Sequence, residues 1–349
     1  MAAAYSTGVT SSPTNFLQTL VTWLNTQGWV TDLSASDGDG WRAHLHKGGL
    51  YLNFRAANNE KIWPKYEPNT SQWDHGAGYG VGFYLGNGYD GGEGWYYQPG
   101  RPKRVQEDPY VMDTALGAGI NLPSGPIAAY HFFDDGADNV TVVVERNPGI
   151  FGHLGWGPSM VKTGYAANYP YFFGAVSFYD NTYQGGATTQ GVGTTASAPM
   201  AQSNAHSMGV GTYCLGQAFV KVDAAVFSDQ WVSNACHNDW RYGYTGRWFR
   251  CAISDHGSNP GGILDEHYPD YRLLFDNDLA HQTAFLGALL LPLHCFVYIE
   301  TVGRWAPLGY PPTIFSCSAV GNGYAQGEIY AVGGQNYMVF PNFAVLQGA

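Results

Sequence analysis

The chain has 349 residues, 16 basic and 27 acidic side chains, and a formal net charge of −11 at pH 7. This length allows one large β-rich domain or two smaller domains, each with a sizeable core. The acidic balance, without any run of five basic residues, argues against direct binding of duplex nucleic acid.

The composition is typical of a surface that partners cover. Charged residues make up 12% of the chain and aromatic residues 15%, whereas about 25% charged residues is ordinary. Neutral, aromatic surfaces are typical of protein interfaces, and Tyr and Trp rings also stack on sugars. We therefore expect either an assembly subunit or a sugar-binding surface.

The sequence shows neither a secretion signal nor a membrane segment. Residues 1–14, MAAAYSTGVTSSPT, lack a basic start followed by an apolar stretch. The longest apolar run, residues 283–299, is too short to span a bilayer and is interrupted by Pro292 and His294. We interpret that run as a buried helix–strand junction, and we expect a soluble protein that is synthesised in a cytoplasm.

The cysteines do not have the spacing of a metal knuckle or of a redox motif, because no two of them form a C-x-x-C pattern. An odd number of cysteines in a chain without a secretion signal predicts buried free thiols. A particle that leaves the cell can still oxidise one or two pairs, so the disulfide state stays open. The five positions are Cys214, Cys236, Cys251, Cys295 and Cys317.

Residues 1–58 predict a small unit made of one helix and one β-hairpin. Apolar side chains at helical spacing predict a helix over residues 14–27. Ser12 or Thr14 can serve as its N-cap, and Gly28 is placed to end it.

The hairpin is predicted by Gly48 and Gly49, which lie between two alternating runs of apolar and polar residues. Its apolar side chains should cover the helix. The residues expected to do so are Trp29, Leu45, Leu50, Leu52 and Phe54.

Residues 59–124 are rich in Gly, Pro, Tyr and Trp, and we interpret them as a loop insertion whose tips project aromatic side chains. The segment has no G-x-x-x-x-G-K-[ST] pattern. Gly78, Gly80 and Gly82 do not open a helix as a dinucleotide fingerprint requires, so we expect no cofactor. The most basic stretch, RPKR at residues 101–104, is interpreted as part of a solvated or rim-forming loop.

Residues 125–349 predict the main antiparallel β domain. Strands alternate with Asp/Gly/Asn turns over residues 130–157, and the valine run there predicts a strand buried on both faces. YFFGAVSFY, residues 171–179, is expected to continue the same sheet. Residues 180–208 form a long polar loop of a kind that carries function or becomes ordered by a partner. A short helix is predicted at residues 279–289.

Further strands are predicted near the end of the chain, at 216–227, 245–253, 293–300, 313–320, 327–334 and 335–342. The expected fold class is therefore α+β and mainly β. It consists of the N-terminal helix–hairpin unit followed by antiparallel sheets, or a β-sandwich-like core, with long Gly- and Tyr-rich loops.

The first candidates for chemistry are Asp134, Asp135 and Asp138 with Glu145, which resemble a paired-carboxylate site. The three aspartates, however, lie in DDGADN, where Asp and Asn are favoured because they stabilise turns. Glu145 can also pair across strands with Arg146 or with His153.

His and Asp clusters raise the question of a metal, although no H-E-x-x-H or H-x-H signature fixes a site. The cluster residues are His237, Asp239, Asp255, His256, Asp265, Glu266, His267 and Asp270. Three serines, Ser124, Ser159 and Ser177, lack the G-x-S-x-G elbow of a hydrolase. We assign no catalytic, cofactor-binding or metal-binding residue.

Several tryptophans can either stack on sugar rings or anchor a core or a protein interface. They are Trp231, Trp240, Trp248 and Trp305.

Three parts of the chain resemble structural proteins of tailed bacteriophages. At the N-terminus the resemblance is carried by FLQTLVTWLNTQGW and WRAHLHKGGLYLNFR, a helix ending in Gly-Trp and a hairpin with Lys-Gly. In the middle it is carried by HFFDDGADNVTVVVERNPGIFGHLGWGPSMVKTGYA and YFFGAVSFY.

The C-terminal part resembles the ending of these phage proteins, in which an Arg-x-x-x-x-Leu-Gly phrase leads to a Phe-Pro close. Here the phrase is Arg304, Leu308 and Gly309, followed by Phe340 and Pro341. The resemblance covers about two thirds of the chain and consists of framework residues. It implies a virion protein of the tail or baseplate, assembled in the host cytoplasm, without an active site.

Three functions compete at this point. The leading hypothesis is a non-enzymatic assembly subunit that contacts copies of itself and other virion proteins. The second is a module on the virion that binds carbohydrate, such as a host-surface glycan, or a receptor. The third, a glycan-degrading enzyme, needs two convergent carboxylates, for which Asp239, Asp255 and Asp265 are candidates.

Overall fold

The computed structural model describes residues 2–59, 80–101, 103–105, 117–122, 124–162, 170–174, 176–178, 202–203, 214–215, 217–221, 232–233, 243–245, 248–254, 290–292, 294–299, 304–317, 323–340 and 343–348. This part of the chain is mainly β, with antiparallel sheets and one α-helix.

The helix is α1 (Pro13–Thr26), and a short 3₁₀ turn covers Trp95–Tyr97. The strands of the first half are β1 (Ala4–Thr10), β2 (Val30–Asp37), β3 (Gly40–Lys47), β4 (Leu50–Ala57), β5 (Gly80–Gly86), β6 (Lys103–Val105), β7 (Gly117–Asn121), β8 (Ile127–Asp134), β9 (Val140–Asn147), β10 (Ile150–Gly157), β11 (Val161–Lys162), β12 (Tyr171–Gly174) and β13 (Val176–Phe178).

The strands of the second half are β14 (Gln202–Ser203), β15 (Cys214–Leu215), β16 (Gln217–Lys221), β17 (Val232–Ser233), β18 (Gly243–Thr245), β19 (Trp248–Ser254), β20 (Leu290–Pro292), β21 (His294–Ile299), β22 (Arg304–Tyr310), β23 (Ile314–Cys317), β24 (Ile329–Val332), β25 (Gln335–Phe340) and β26 (Phe343–Gly348).

Three sheets contain most of these strands. The central sheet has the order β1-β8-β9-β10-β12-β16-β19-β21-β22-β11, with β17 also paired to β21. The N-terminal sheet has the order β13-β7-β5-β4-β3-β2, and the C-terminal sheet the order β20-β23-β26-β25-β24. Two small pairs, β14–β15 and β6–β18, complete the described strands.

Helix α1 begins and ends where its sequence predicts. The Ser12 hydroxyl oxygen accepts a hydrogen bond from the backbone N–H of Asn15 at 3.1 Å, so Ser12 is the N-cap and Thr14 lies inside the helix. Gly28 follows the end of the helix with a φ of 81°, a conformation that glycine adopts without steric cost. The buried side is apolar and comprises Pro13, Phe16, Leu17, Leu20, Val21 and Leu24.

The predicted hairpin of β3 and β4 is confirmed, and its turn is formed by Gly48 and Gly49. The five apolar residues expected to cover the helix, from Trp29 to Phe54, are all buried in one core cluster with α1. Two strands were not predicted in this region. β1 precedes the helix and pairs with β8, and β2 precedes the hairpin and pairs with β3.

The central sheet is covered on one face by α1 and the N-terminal sheet. Val142, Val144 and Trp156 belong to the same core cluster as the helix. The Trp156 ring meets the Phe54 and Phe83 rings of the N-terminal sheet at centroid distances of 5.5 and 5.6 Å. Such edge-to-face contacts add to the stabilisation that burial alone provides.

The opposite face of the central sheet is covered by the C-terminal sheet. Phe151 meets Phe340 at 5.2 Å between ring centroids, and His153 meets Phe343 at 5.7 Å. The hydroxyl groups of Thr141 and Thr313 are joined by a 2.7 Å hydrogen bond between the two layers. The prediction that the valine strand is buried on both faces is therefore confirmed.

The prediction that YFFGAVSFY continues a single sheet is wrong in its second half. β12 pairs with β10 in the central sheet, whereas β13 pairs with β7 in the N-terminal sheet. Gly174 lies where the chain passes between the sheets. A Cβ atom there would lie 2.5 Å from the backbone nitrogen of Gly119, so only glycine allows this approach.

The N-terminal sheet contains strands from all three segments distinguished in the sequence, 1–58, 59–124 and 125–349. β5 and β7 lie within the segment interpreted as a loop insertion, and they pair in the order β4-β5-β7. Of the predicted loop at 180–208, only residues 202–203 are described, as β14. The predicted helix at 279–289 lies outside the described residues.

Candidate functional site

The acidic turn between β8 and β9 uses its carboxylates to hold its own backbone. Asp134 accepts the N–H of Gly136 at 2.7 Å. Asp135 accepts the backbone N–H groups of Ala137 and Asn139 at 2.8 and 3.1 Å, and also the Asn139 side-chain amide at 2.8 Å. These bonds confirm that the aspartates have the turn role expected from the sequence.

Asp138 completes this turn with a φ of 68°, which Asp and Asn tolerate better than most residues. Its carboxylate forms an ion pair with Lys47 at the end of β3, which links the turn to the N-terminal sheet. Burial raises the pKa of the neighbouring Asp134 carboxyl above its ordinary value. Burial raises the pKa of a carboxyl group in a structural turn and in a catalytic site alike, so the raised pKa of Asp134 is not evidence of catalysis.

The predicted pair between Glu145 and His153 is wrong. In the ladder of β9 and β10, His153 lies opposite Val143, and Glu145 lies opposite Phe151. Glu145 instead accepts the backbone N–H of Gly149 in the next turn, at 2.8 Å. The side chain of Arg146 lies outside the described part, so a pair between Glu145 and Arg146 stays a prediction.

His153 is a core residue of the contact between the central and C-terminal sheets. Its ring packs on Phe173 at 6.2 Å and on Phe343 at 5.7 Å between centroids. Burial lowers the pKa of His153 to about 3, because the charged imidazolium would lose its hydration there. At neutral pH the ring is therefore uncharged.

The other sequence candidates lie largely outside the described residues. All eight His, Asp and Glu residues of the proposed metal clusters are there, as are Trp231, Trp240 and Cys236. Six further candidates lie in described strands, but their side chains are outside the described part of the structure: Trp248, Trp305, Ser177, Cys214, Cys251 and Cys295.

In the part of the chain that the structure covers, no three His, Cys, Asp or Glu side chains form a group that could hold a metal ion. The Cys317 side chain is buried. Ser159 donates its hydroxyl to the carbonyl oxygen of Met160 at 3.2 Å. No helix within the described ranges is long and apolar enough to cross a membrane.

Residues 87–101, here called the aromatic loop, fold into an ordered structure around the buried side chain of Gln98. The Gln98 amide nitrogen donates to the carbonyl oxygens of Asp90, Glu93 and Gly94 at 3.0 to 3.2 Å. Its amide oxygen accepts the N–H of Asp90 at 2.7 Å. One glutamine therefore satisfies four backbone groups of the loop, which the sequence analysis did not anticipate.

The aromatic side chains of this loop point in different directions. Trp95 and Tyr96 are buried against Tyr84 of β5, whose hydroxyl donates to the carbonyl oxygen of Trp95. Tyr97 is 51% exposed. The expectation of projecting aromatics therefore holds for one of these three, because the other two cover the sheet.

Arg101 supports the exposed ring of Tyr97. The guanidinium carbon lies 4.7 Å from the centroid of Tyr97 and 4.5 Å from that of Tyr96. These are cation–π distances, and they fix the exposed ring of Tyr97 relative to the buried ring of Tyr96. The result is a pre-ordered patch of one exposed aromatic ring and one cation.

A buried polar pair lies beneath the aromatic loop. His44 Nδ1 is 2.7 Å from the side-chain oxygen of Asn53, and the Tyr89 ring covers His44 at 5.2 Å between centroids. Burial lowers the pKa of His44. Alternation placed both residues on the face of the hairpin away from the helix, but no sequence signal indicated that a loop covers them.

The hairpin of β24 and β25 is the most exposed part of the described C-terminal region. All residues from 325 to 335 are exposed except Tyr330. Gly333 and Gly334, with φ of 61° and 78°, form its two-residue turn. Tyr330 packs on Tyr324 at 5.2 Å between ring centroids. β24 is the last strand of its sheet.

No family model matches the chain, and no curated protein matches it.

Proposed function

We propose that this chain is a non-enzymatic structural subunit of a tailed-phage virion, in the tail or baseplate. Its partners in this proposal are copies of itself and other virion proteins, and it assembles in the host cytoplasm. A layered, sandwich-like α+β core forms the framework. The exposed hairpins and the long Gly- and Tyr-rich loops make the contacts.

The observation that carries this proposal is the exposed hairpin of β24 and β25. It presents Ile329 and Val332 to solvent, at 40% and 42% exposure, and its one charged residue between 325 and 335 is Glu328. A projecting neutral hairpin is a liability for a protein that stays alone, because it favours association. In an assembly subunit the same surface is an interface.

Two further observations support the same function. The carboxylates of Asp134 and Asp135 hold turn backbone, and that of Asp138 is paired with Lys47. The resemblance to phage structural proteins rests on framework segments that form α1, β3, β4 and β8 to β10. Both point to a scaffold that presents surfaces.

The test is the solution mass of the purified protein over a wide concentration range, by size exclusion with light scattering. We expect a discrete oligomer whose population rises with concentration. A monomer at every concentration would contradict self-assembly.

A pair of matched variants connects this result to the hairpin. Replacing Ile329 and Val332 together with lysine should abolish the oligomer, because two desolvated charges would enter each contact. Replacing Val9 and Val30, which are even more exposed, with lysine adds the same charge elsewhere and should leave the oligomer intact. Equal effects of both pairs would show that net charge, not the hairpin, controls association.

The aromatic loop favours a second candidate function, binding of a carbohydrate such as a host-surface glycan. Exposed Tyr97 is held in place by Arg101, and a sugar ring can stack on such a pre-ordered aromatic face. Screening against a glycan library tests this function. Binding should be lost in Tyr97→Ala and kept in Tyr97→Phe, which retains the ring; no binding by the unmodified chain would exclude it.

A further inference from the structure

The free edge of β24 has a defined hydrogen-bonding register. Its two-residue turn is closed by Val332 and Gln335, so these two residues form a hydrogen-bonded pair. Tyr330 and Tyr337 form the next hydrogen-bonded pair two residues further along. Ile329 and Ala331 alternate with these, so their backbone N–H and C=O groups point away from β25.

The other end of the strand confirms this register. The N–H of Gly327 donates to the carbonyl oxygen of Val339 at 2.8 Å, and the N–H of Val339 donates to the carbonyl oxygen of Glu328 at 2.9 Å. With Gly327 at a φ of 83°, this is a glycine β-bulge. The bulge directs Glu328 towards β25 and leaves Ile329 as the first outward residue.

Nothing described in the structure occupies or blocks this edge. Among the described residues, no strand pairs with β24 on the side away from β25. The four residues Ile329–Val332 include no Lys and no Pro, the residues with which proteins usually protect an edge. Four backbone groups, two donors and two acceptors, are therefore available to an extended segment.

We propose that β24 pairs antiparallel with β24 of a second copy of this chain, centred on Tyr330, so that two five-stranded sheets form one continuous sheet. This inference rests on the proposed function and names its interface. In this register Ile329 faces Ala331 of the other copy, and the two residues exchange both hydrogen bonds. The contact is isologous, so the same four bonds satisfy both edges.

The charge of the two chains favours a neutral contact, and the free backbone groups of β24 favour one register. Two chains of net charge −11 repel each other, so the contact has to be made by a neutral segment. Centring on Tyr330 places Glu328 opposite Val332, whereas a shift of two residues towards the bulge would place two Glu328 carboxylates opposite each other. Centring on Tyr330 bonds the N–H and C=O groups of both Ile329 and Ala331. Centring on Ile329 would place Ala331 opposite Gly327, whose N–H is already bound to Val339, and centring on Ala331 would place Ile329 opposite Gly333 of the turn.

Disulfide trapping on the full-length chain tests the register. Tyr330 faces Tyr330 as a non-hydrogen-bonded pair, for which the Cα atoms lie about 4.5 Å apart, within reach of a disulfide. Tyr330→Cys should therefore give a covalent dimer on oxidation. Ala331→Cys should not, because the two positions are offset by two residues and exceed the roughly 7 Å limit.

Two controls keep this test specific. The unmodified chain measures any cross-linking through the native cysteines, and Tyr330→Ser measures the effect of losing the tyrosine ring. Cross-linking at 330 and not at 331 is the expected result. Absence of cross-linking at 330, or equal cross-linking at both positions, would overturn the proposed pairing.

A second pair of variants tests whether the edge hydrogen bonds of β24 contribute to dimerisation. Ala331→Pro removes an outward N–H without touching a bond to β25, and across the two copies it deletes two of the four edge hydrogen bonds. We expect it to weaken dimerisation at least about tenfold, while Ala331→Val, which keeps the N–H, should not.

The failures of the two proposals are distinguishable in this experiment. If Ala331→Pro associates as strongly as the unmodified chain and Tyr330→Cys does not cross-link, β24 is not the contact, while concentration-dependent oligomers still support the assembly function. If the unmodified chain is a monomer at every concentration, both the edge contact and self-assembly fail.

Discussion

Strands β9 and β24 have similar residues and opposite surroundings. β9 begins with Val140–Val144, VTVVV, and these residues are all buried, with one face against the N-terminal sheet and α1 and the other against the C-terminal sheet. β24 reads IYAV, and three of its four residues are exposed. β-Branched and aromatic residues fit both strands, since such residues fit any pleated surface.

The difference between the two strands is one of position in the layers. β9 lies inside the central sheet, with β8 and β10 as neighbours, and other layers cover both of its faces. β24 ends its sheet, and among the described residues no strand pairs with its outer side. Apolar composition therefore does not by itself show whether a strand lies inside a sheet or at its edge.

The largest loss of stability is expected from a substitution in the covered region. Trp156→Ala should lower the free energy of unfolding by about 3–5 kcal/mol, because a fully buried ring among Trp29, Phe54 and Phe83 is replaced by a cavity. Chemical denaturation followed by circular dichroism measures the change. Val332→Ala on the exposed hairpin should change the same quantity by less than about 0.5 kcal/mol.

Similar losses of stability from these two substitutions would mean that the two regions do not differ in burial. A large loss in Val332→Ala would mean that the hairpin is covered in the protein as measured. Repeating that measurement at a concentration below the oligomer transition separates burial by another copy from burial within the chain.

The next effect is the pH dependence of the free energy of unfolding that comes from His153, a buried residue of the covered region. The pKa of His153 is lowered from 6.5 to about 3 in the folded protein, so between these values the unfolded chain takes up a proton that the folded chain does not. Its contribution is complete above pH 6.5 and is lost as the pH falls. At pH 4.5 the loss should be roughly 3 kcal/mol relative to pH 8.

The free energy of unfolding as a function of pH, compared between the unmodified chain and His153→Phe, isolates this contribution. The variant should show a shallower acid dependence, whatever its absolute stability. Burial also lowers the pKa of His44 and of His131, so the variant should keep part of the dependence. Parallel curves for the two proteins would show that His153 is hydrated.

The smallest effect concerns the single hydrogen bond between the Thr141 and Thr313 hydroxyls, which joins the central and C-terminal sheets. Thr141→Val alone should lower the free energy of unfolding by about 1–3 kcal/mol, because Thr313 is left buried without its partner. Adding Thr313→Val should restore most of that loss. Additive losses in this double-mutant cycle would mean that the two layers are not in contact there.

Much of the fold could be predicted from the sequence because the relevant signals are local. The N-cap role of Ser12, the helix period and the turn at Gly48 and Gly49 depend on residues within a few positions of each other. The aspartate turn after β8 is local in the same sense. β1 was missed because its partner β8 lies more than a hundred residues away, and a pairing at that separation leaves no pattern in either strand.

The candidate sites could be predicted less well than the fold. The sequence indicated that the Gly- and Tyr-rich segment presents aromatics, but not that Trp95 and Tyr96 turn inward while Tyr97 remains outside. The role of Gln98 left no sequence signal, because a side chain that binds loop backbone has no characteristic spacing. The exposure of β24 could not be predicted either, because its residues are those typical of a buried strand.

The sequence was sufficient to predict α1, the hairpin of β3 and β4 and the aspartate turn, and to show that charged side chains are scarce. These follow from backbone preferences and from composition, which need no knowledge of distant contacts. The tertiary structure was needed to show that the central sheet is covered on both faces, that the chain leaves this sheet after Gly174, and that β24 lies at the end of its sheet. Those outcomes depend on which layers stack, and stacking is fixed by contacts between residues far apart in the chain.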